Sequence, residues 1–550
     1  MNRYLLAAEA DKIQDFIFRS SRLSEVVGGS QLLSRFCAEV PRLLLPFHGG
    51  DPDRDIVIQD GGGFRILFDE KGQAKSFGEE LAEVYFWATG SSLTVAEPVE
   101  ISGDFGAANE DADKSLRRAK RWRDSWQSQD QAPYIAFCAS CGVGLAEAYA
   151  RSYEGEKPRY LCASCLHKKG EQIEGSGSFL KAFYGEVVGG KDLSNADWPG
   201  KVRRPHRAEK DPVQDIADYD PRSYVAYLLA DGNEMGKIFG ECKRPDQMQC
   251  LSHGLQRIMQ ESLAEPAREI IRVNSLKDRS NFIPVLPLIL GGDDLFALIP
   301  APWALDFAQC FCRAYESKMA ELLKEISLAG FCPTISASVV ICKDKHPYTE
   351  AYRVGEAKLK EAKQLAKQHN SASESGQVYS TVNHELLKSG DLNYDRPGCS
   401  ICPTLRPYWV AEQGIPEWGI PLQSVLDQRW ELRSIPNKRL SELQSFYDVA
   451  ELPESLTAGR FSLWKGKLIR LLNRIEHRDQ TEQKSQGQSQ ARLLRTSLKI
   501  LGQADGEETA WLYHVRRDRD PWWGHALPDL LEIWDFALKI GERRSRYEEE

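Results

Sequence analysis

The chain has 550 residues, 42% of them hydrophobic and 27% charged, with a net charge of -9. That balance is globular and gives room for roughly three or four domains, and the acidic charge argues against a general nucleic-acid coat while leaving local basic patches open. The start, MNRYLLAAEADK, has no signal-peptide pattern, and no apolar run reaches spanning length. A cytoplasmic protein with no membrane partner is expected. Thirteen cysteines then point to metal or core use rather than disulfides.

In chain order, Tyr4 to Ala10 reads as a strand ending in Ala10-Asp11-Lys12. Ile56 to Phe68, IVIQDGGGFRILF, reads as a β-hairpin. A helix over about Ala74 to Ala88 follows the turn at Lys71-Gly72, then a strand over Ser92 to Ile101, then a basic helix containing Leu116 to Lys120. Arg117, Arg118, Lys120, Arg121 and Arg123 form a dense patch there. Phosphate binding and a plain solvated face fit it about equally.

Cys138-Ala139-Ser140-Cys141 and Cys162-Ala163-Ser164-Cys165 form paired C-x2-C knuckles. Four thiolates in two matched pairs make a tetrahedral site for Zn2+ and leave no open position, so its role is structural; buried free cysteines are the alternative. Cys399 and Cys402 lack a second pair and read as structural, with redox chemistry as the weaker option. The other seven cysteines mostly sit in apolar surroundings and read as core. Asn195 to Asp220, rich in Pro, Asp and Arg, reads as a linker.

The next stretch is the most informative. It runs strand (Tyr224 to Ala230), helix (Gln247 to Val273), hairpin (Val285 to Ile299), helix (Trp303 to Ser327), strand (Thr334 to Cys342) and helix (Tyr348 to Gln368), which is the βαββαβ, ferredoxin-like order. The hairpin strands, Val285 to Leu290 and Leu295 to Ile299, flank Gly291-Gly292-Asp293-Asp294. Adjacent carboxylates repel, and a divalent cation resolves the repulsion because hard cations take carboxylate oxygen. The glycines let a nucleotide approach the backbone. Asp231, at the end of the Tyr224 to Ala230 strand, is the third acid a two-metal site would need. An ordinary Gly-Asp turn with solvated charges is the alternative. On the last helix Lys360, Lys363 and Lys367 share one side; Lys363 could hold a triphosphate, or the side could simply be solvated.

The two stretches repeat. Ala10-Asp11-Lys12 matches Ala230-Asp231-Gly232, the two hairpins match, and Leu116 to Lys120 matches Leu359 to Lys363. Three anchors in one order with a slowly widening offset indicate duplication rather than chance. In the first copy the acidic pair is replaced by Gly63 and Phe64, or by Phe64 and Arg65, depending on register. We therefore expect that copy to support the second, or to bind a nucleotide without doing chemistry. His369 to Gly376 reads as a polar loop. From about Arg396 the pattern is mainly helical, over Leu440 to Ala450, Leu463 to Ile475, Leu493 to Leu501 and Pro528 to Ile540, with a Gln/Ser-rich connection at Gln480 to Gln490. Trp522, Trp523 and Trp534 read as core.

ADGN at Ala230 to Asn233, GGDD at Gly291 to Asp294 and the LKEAK helix resemble the active palm domain of the large subunit of type III CRISPR effector complexes. Glu9 to Phe36, EADKIQDFIFRSSRLSEVVGGSQLLSRF, is similar to the first palm of that family, and the four-cysteine insert between the palms resembles its arrangement. The resemblance spans roughly Met1 to Tyr379. It implies an α+β multidomain fold with two tandem ferredoxin-like palm domains. We place a first, degenerate palm at 1–126, a zinc-binding insert and linker at 127–220, the GGDD palm at 221–392 and a helical C-terminal domain at 393–550.

The resemblance further implies target-RNA-activated joining of ATP into cyclic oligoadenylates, inside a complex with guide RNA, target RNA and other effector subunits. Asp231, Asp293 and Asp294 would be catalytic and hold two Mg2+ (or Mn2+) ions. Gly291 and Gly292 would be the nucleotide-approach turn and Lys363 a triphosphate contact. Gly232, Asn233, Met235 and Gly236 would line the phosphates, with backbone N–H groups, and Gly61, Gly62 and Gly63 would mark a second, inactive pocket. Many family members begin with an HD nuclease domain. This sequence opens at the first palm and holds no His-Asp dipeptide, so no DNase activity is expected. The alternatives are a non-catalytic scaffold that binds the RNAs, a free-standing messenger synthase, and a diguanylate cyclase, since GGDEF enzymes share this fold. Against the last, the fourth motif residue is Asp294 rather than Glu, and Phe282 and Val285 stand where the Arg and Asp of the inhibitory site would fall.

Overall fold

The computed structural model describes residues 3–20, 22–122, 136–150, 157–174, 179–187, 216–278, 283–328, 330, 333–372, 379–388, 404–416, 419–448, 458–477, 484–502, 513–517 and 520–542. Cys399, Cys402, Arg123 and most of the expected linker lie outside these residues.

The first half contains β1 (Arg3–Ala10), α1 (Ile13–Phe18), α2 (Leu23–Leu44), α3 (Pro52–Asp55), β2 (Ile56–Asp60), β3 (Gly63–Phe68), α4 (Lys71–Thr89), β4 (Leu93–Val95), β5 (Val99–Ile101) and α5 (Phe105–Trp122). Its sheet has the order β2-β3-β1-β4, with β5 also on β1. The single strand expected over Ser92 to Ile101 is two short ones. Both pair with β1, Ala8 opposite Val95 and Leu5 opposite Val99. Pro98 lies between them and has no N–H to give the ladder.

The insert contributes β6 (Ala148–Ala150), β7 (Arg159–Leu161), α6 (Ala163–Glu174) and α7 (Phe179–Val187). It is tied to the first half. The Ser140 hydroxyl donates to the buried Glu25 carboxylate, and the buried Lys168 ammonium donates to the Phe16 carbonyl at the end of α1. Gly28 on α2 allows α6 this close: a Cβ there would lie 2.1 Å from the Lys168 carbonyl oxygen.

The second half runs β8 (Tyr224–Gly232), α8 (Met235–Gly240), α9 (Pro245–Asp278), β9 (Leu286–Gly291), β10 (Asp294–Pro300), α10 (Ala304–Glu325), β11 (Ile335–Lys343), α11 (Tyr348–Ala372), β12 (Thr381–Leu386) and β13 (Tyr408–Trp409). The sheet order is β13-β12-β11-β8-β10-β9. Within it β11-β8-β10-β9 repeats the order (β4, β5)-β1-β3-β2 of the first half. β12 runs parallel to β11, and β13 extends the sheet with residues beyond 392. Val225 to Ala230 is buried throughout, as expected of a central strand covered on both faces. Each Leu buried there contributes roughly 1.5–3 kcal/mol. α11 covers the face bearing Leu229, Asp231 and Ser338: Gly355 sits over Leu229, and its carbonyl accepts from the Ser338 hydroxyl at 2.8 Å.

The two halves meet through aromatic rings and the α1–α2 loop. Phe18 lies 5.5 Å from Phe296 and 4.2 Å from Tyr352, and the Tyr348 hydroxyl donates to the Ser20 carbonyl.

The C-terminal part has α12 (Leu422–Glu431), α13 (Asn437–Asp448), α14 (Ala458–His477), α15 (Lys484–Leu501), β14 (Tyr513–Arg517), β15 (Asp520–Gly524) and α16 (Ala526–Glu532). Four readings are corrected here. Lys484 to Gln490 is helical rather than a connection, and an antiparallel hairpin, for which no strand was expected in this mainly helical part, places Trp522 opposite Val515. The last helix stops at Glu532, well short of Ile540. The expected polar loop at His369 begins as helix, since α11 runs to Ala372. Among the described residues no helix is long and apolar enough to cross a membrane.

Candidate active site

The GGDD hairpin turns on Gly292 and Asp293, with Gly291 paired to Asp294. Gly292 has φ +59° and Asp293 has no positive φ, as in a type II′ turn, which suits two-residue hairpins. On the neighbouring strand Asp231 is the direct partner of Asp294, so the two side chains share a face. Asp293 comes in from the turn on the Gly232 side, where a Cβ on Gly232 would lie only 3.1 Å from Asp293 Cβ, and it is near enough for the Asp231 charge to act on it. The structure thus brings Asp231, Asp293 and Asp294 together, and Lys363 on α11 is ion-paired to Asp231.

The electrostatics follow from the crowding. Burial, then the neighbouring Asp231 charge, pushes the Asp293 carboxyl up to about 6. Burial, then Asp293 and Asp231, pushes Asp294 up to about 7. Asp294 is open to water at its tip yet lies in a concave wall that limits its solvation. Like charges held this close favour protonation or a shared cation, and three carboxylates on one sheet end are the donor set hard divalent cations prefer.

Register also aligns the two halves, and it corrects the sequence reading twice. Glu9 pairs with Gly63 as Asp231 pairs with Asp294, and Asp60 pairs with Gly63 as Gly291 pairs with Asp294. The acidic pair is therefore replaced by Gly62 and Gly63, one position earlier than expected. Asp231 corresponds to Glu9, and Asp11 corresponds to Asn233, two positions from the anchor drawn above. The hydrogen bonds agree. Asp11 accepts from the Ser92 and Thr94 hydroxyls, while the Asn233 amide bonds the Thr334 and Ser336 hydroxyls. Lys12 and Glu234, the next residues, both have left-handed backbone, φ 50° and 57°. Glu9 keeps a lysine partner too: Lys120 lies 2.6 Å away, the counterpart of Lys363 on Asp231.

A volume exchange separates the copies. In the first half Gly61 and Gly62 both have positive φ, +59° and +77°. A Cβ on Gly62 would meet Ile13 Cδ1 at 2.6 Å and Ala10 Cβ at 3.0 Å. In the second half Gly232 stands where Ala10 does, and that missing methyl is the room Asp293 uses. The glycine of the ADGN motif has a packing reason.

Of the other expected site residues, Gly291 and Gly292 sit at the hairpin tip. Asn233 spends its side chain in the buried hydroxyl network, Met235 is buried against Tyr315, and Gly236 is exposed. Gly61 borders the cavity, Gly62 is buried and Gly63 is paired in β3. Sequence reasoning missed Glu9 and Asp60. Aligning Ala8-Glu9-Ala10-Asp11 with Ala230-Asp231-Gly232-Asn233 would have found Glu9.

One cavity of about 1390 Å³ joins these groups. Its walls include Glu9, Asp60 and Lys120 from the first half and Asp231, Asp294 and Lys363 from the second. Separately, Cys138, Cys141, Cys162 and Cys165 place their sulfurs within 4.8 Å of one another. Cys141 and Cys162 are 3.7 Å apart, close to the about 3.8 Å edge of a tetrahedron with zinc–sulfur bonds near 2.3 Å. Neighbouring thiols, Cys138 first, and burial hold the Cys165 thiol up, a conflict that a zinc ion would relieve.

Residues 224–372 match the family model for the second palm domain of Cas10/Cmr2. Over those residues the chain is similar to Cas10/Cmr2 proteins. Its fold is also similar to a solved Csm1-Csm4 cassette in complex with cA4, with TM-score 0.50 and 14% identity over 91% of this chain and 70% of that one. A Csm1-Csm4 cassette in complex with AMPPNP matches with TM-score 0.41 and 16% identity over 66% of this chain. The chain spans 53% of the length of that second protein. A search among curated proteins finds no match.

Proposed function

We propose that the chain is the large subunit of a type III CRISPR effector complex and joins ATP into cyclic oligoadenylates. The observation that carries this reading is the meeting of Asp231, Asp294 and Lys363 at one cavity walled by both halves, with Asp293 beside them at the hairpin tip, near enough for the Asp231 charge to act on it. About 1390 Å³ exceeds the roughly 300–1,000 Å³ of a single small-ligand site, which leaves space for two nucleotides. The three aspartates would hold two Mg2+ (or Mn2+) ions, which activate the attacking hydroxyl and neutralise the leaving pyrophosphate when bound. Lys363, now paired with Asp231, would take a triphosphate once the cations held Asp231. Glu9, Lys120 and the glycine tip of the first half would seat the second nucleotide without chemistry. The four-cysteine site would hold structural Zn2+. Guide RNA, target RNA and other effector subunits are the partners this reading requires.

The test is the assembled complex incubated with labelled ATP and Mg2+, with and without target RNA, and the product mass measured. Asp293→Asn with Asp294→Asn should abolish product and leave the circular dichroism spectrum unchanged. Undiminished ATP turnover in that double variant overturns the reading. A complex that makes no product with target RNA present is the non-catalytic scaffold.

A further inference from the structure

Asp60 ends β2 of the first half; its side chain takes the Gly61 N–H of its own turn and also serves the second half. Its Oδ2 accepts a hydrogen bond from the Gly292 N–H at 3.1 Å, the amide just before Asp293. The two hairpin tips touch there. A Cβ on Gly61 would lie 3.8 Å from the Gly292 nitrogen, and a Cβ on Gly291 would lie 3.8 Å from Gly61 Cα and 4.0 Å from Asp60 Oδ1.

The contact has no reciprocal. Gly291 is the register equivalent of Asp60, and a glycine offers Gly61 no side-chain acceptor. The acceptor therefore sits on the hairpin that lacks the acidic pair, and the amide it holds sits on the hairpin that carries it. Gly292, at φ +59°, has the backbone freedom of glycine. The direction in which Asp293 leaves the turn depends on that peptide. A ligand constellation works only when its supporting groups lock it.

We infer that Asp60 is a positioning residue: its carboxylate fixes the Gly292 peptide from the opposite half and thereby aims Asp293 at the shared cation site. The inference rests on the function proposed above only for what the aimed carboxylate does. Its geometry is testable without any substrate.

The experiment uses the full chain with Mn2+ alone, followed by electron paramagnetic resonance, and hydrogen exchange over Leu286–Pro300. Asp60→Ala should weaken Mn2+ binding about tenfold, the loss of one charge-assisted hydrogen bond, and speed exchange at the hairpin tip alone. Asp60→Asn, whose amide oxygen can still accept, should restore both to within about twofold of the native protein. Asp60→Leu, close in shape to Asp, replaces the alanine variant if that one does not fold. Where the native protein makes product, Asp60→Ala should lower kcat and leave the KM for ATP nearly unchanged. If the asparagine variant binds Mn2+ as weakly as the alanine variant, charge rather than hydrogen bonding is at work. Asp60 is then a metal ligand and the inference is overturned. Native Mn2+ affinity and exchange in Asp60→Ala overturn it as well. Absence of product from the native chain speaks against the proposed function and leaves both of these readouts standing.

Discussion

Proton competition at the aspartate cluster gives the sharpest quantitative expectation. Asp293 and Asp294 are pushed up from 3.8 to about 6 and about 7. Metal binding needs both ionised, so protons and cations compete. At pH 8 both carboxyls are nearly fully ionised. At pH 6 about half of Asp293 and about nine-tenths of Asp294 carry a proton, so apparent metal affinity should fall about 20-fold between pH 8 and pH 6. The stability of the metal-free protein moves in the opposite sense. A carboxyl whose folded value is raised stabilises the fold below its unfolded value, near 4, and that contribution is lost as the pH rises through about 6 and 7. Added Mn2+ should therefore raise the melting temperature strongly at pH 8 and little at pH 5. Titrating Mn2+ by paramagnetic resonance from pH 5.5 to 8.5 measures the effect. A flat affinity profile between pH 6 and pH 8 would refute the crowding on which the site is built.

Gly62→Asp, which would restore an acid to the first half, should destabilise the protein by about 2–5 kcal/mol, from ~1–2 for the left-handed backbone and ~1–3 for overpacking. Urea unfolding reads the cost, adding Ala10→Gly should return part of it, and an unshifted midpoint for the single variant contradicts the packing argument. Cys162→Ser should eliminate one bound zinc per chain, measured by atomic emission. It should also speed hydrogen exchange over Ala163–Glu174 and over Ile13–Phe18, which Lys168 ties to the insert.

The central hairpin and its neighbours were legible because their apolar runs are long and bounded by glycine. The metal-ligand spacing of the cysteines was legible for a similar local reason. Register was not. A strand reveals its period of two but not which residue faces its partner, so Glu9 was passed over for Asp11, and Gly62 for Gly63. Asp60 was invisible for another reason: it meets Gly292 from 232 positions away, and no local pattern records such a contact. The helix from Lys484 was masked by glutamine and serine, polar residues that a helix tolerates once Leu494, Leu498 and Leu501 are buried along it. Two short strands, Tyr513–Arg517 and Asp520–Gly524, fell below the length at which alternation can be told from noise.

On the function proposed above, the traded methyl between Ala10 and Gly232 makes the division of labour hard to reverse. A single substitution in the first half meets a wall of side chains before it can gain an ion. Mutational drift toward two equivalent centres therefore needs paired changes on separate strands, the first of them costly on its own. The inequality of the halves is thus stored as volume as well as charge, and an engineer wanting two working centres should begin by emptying space.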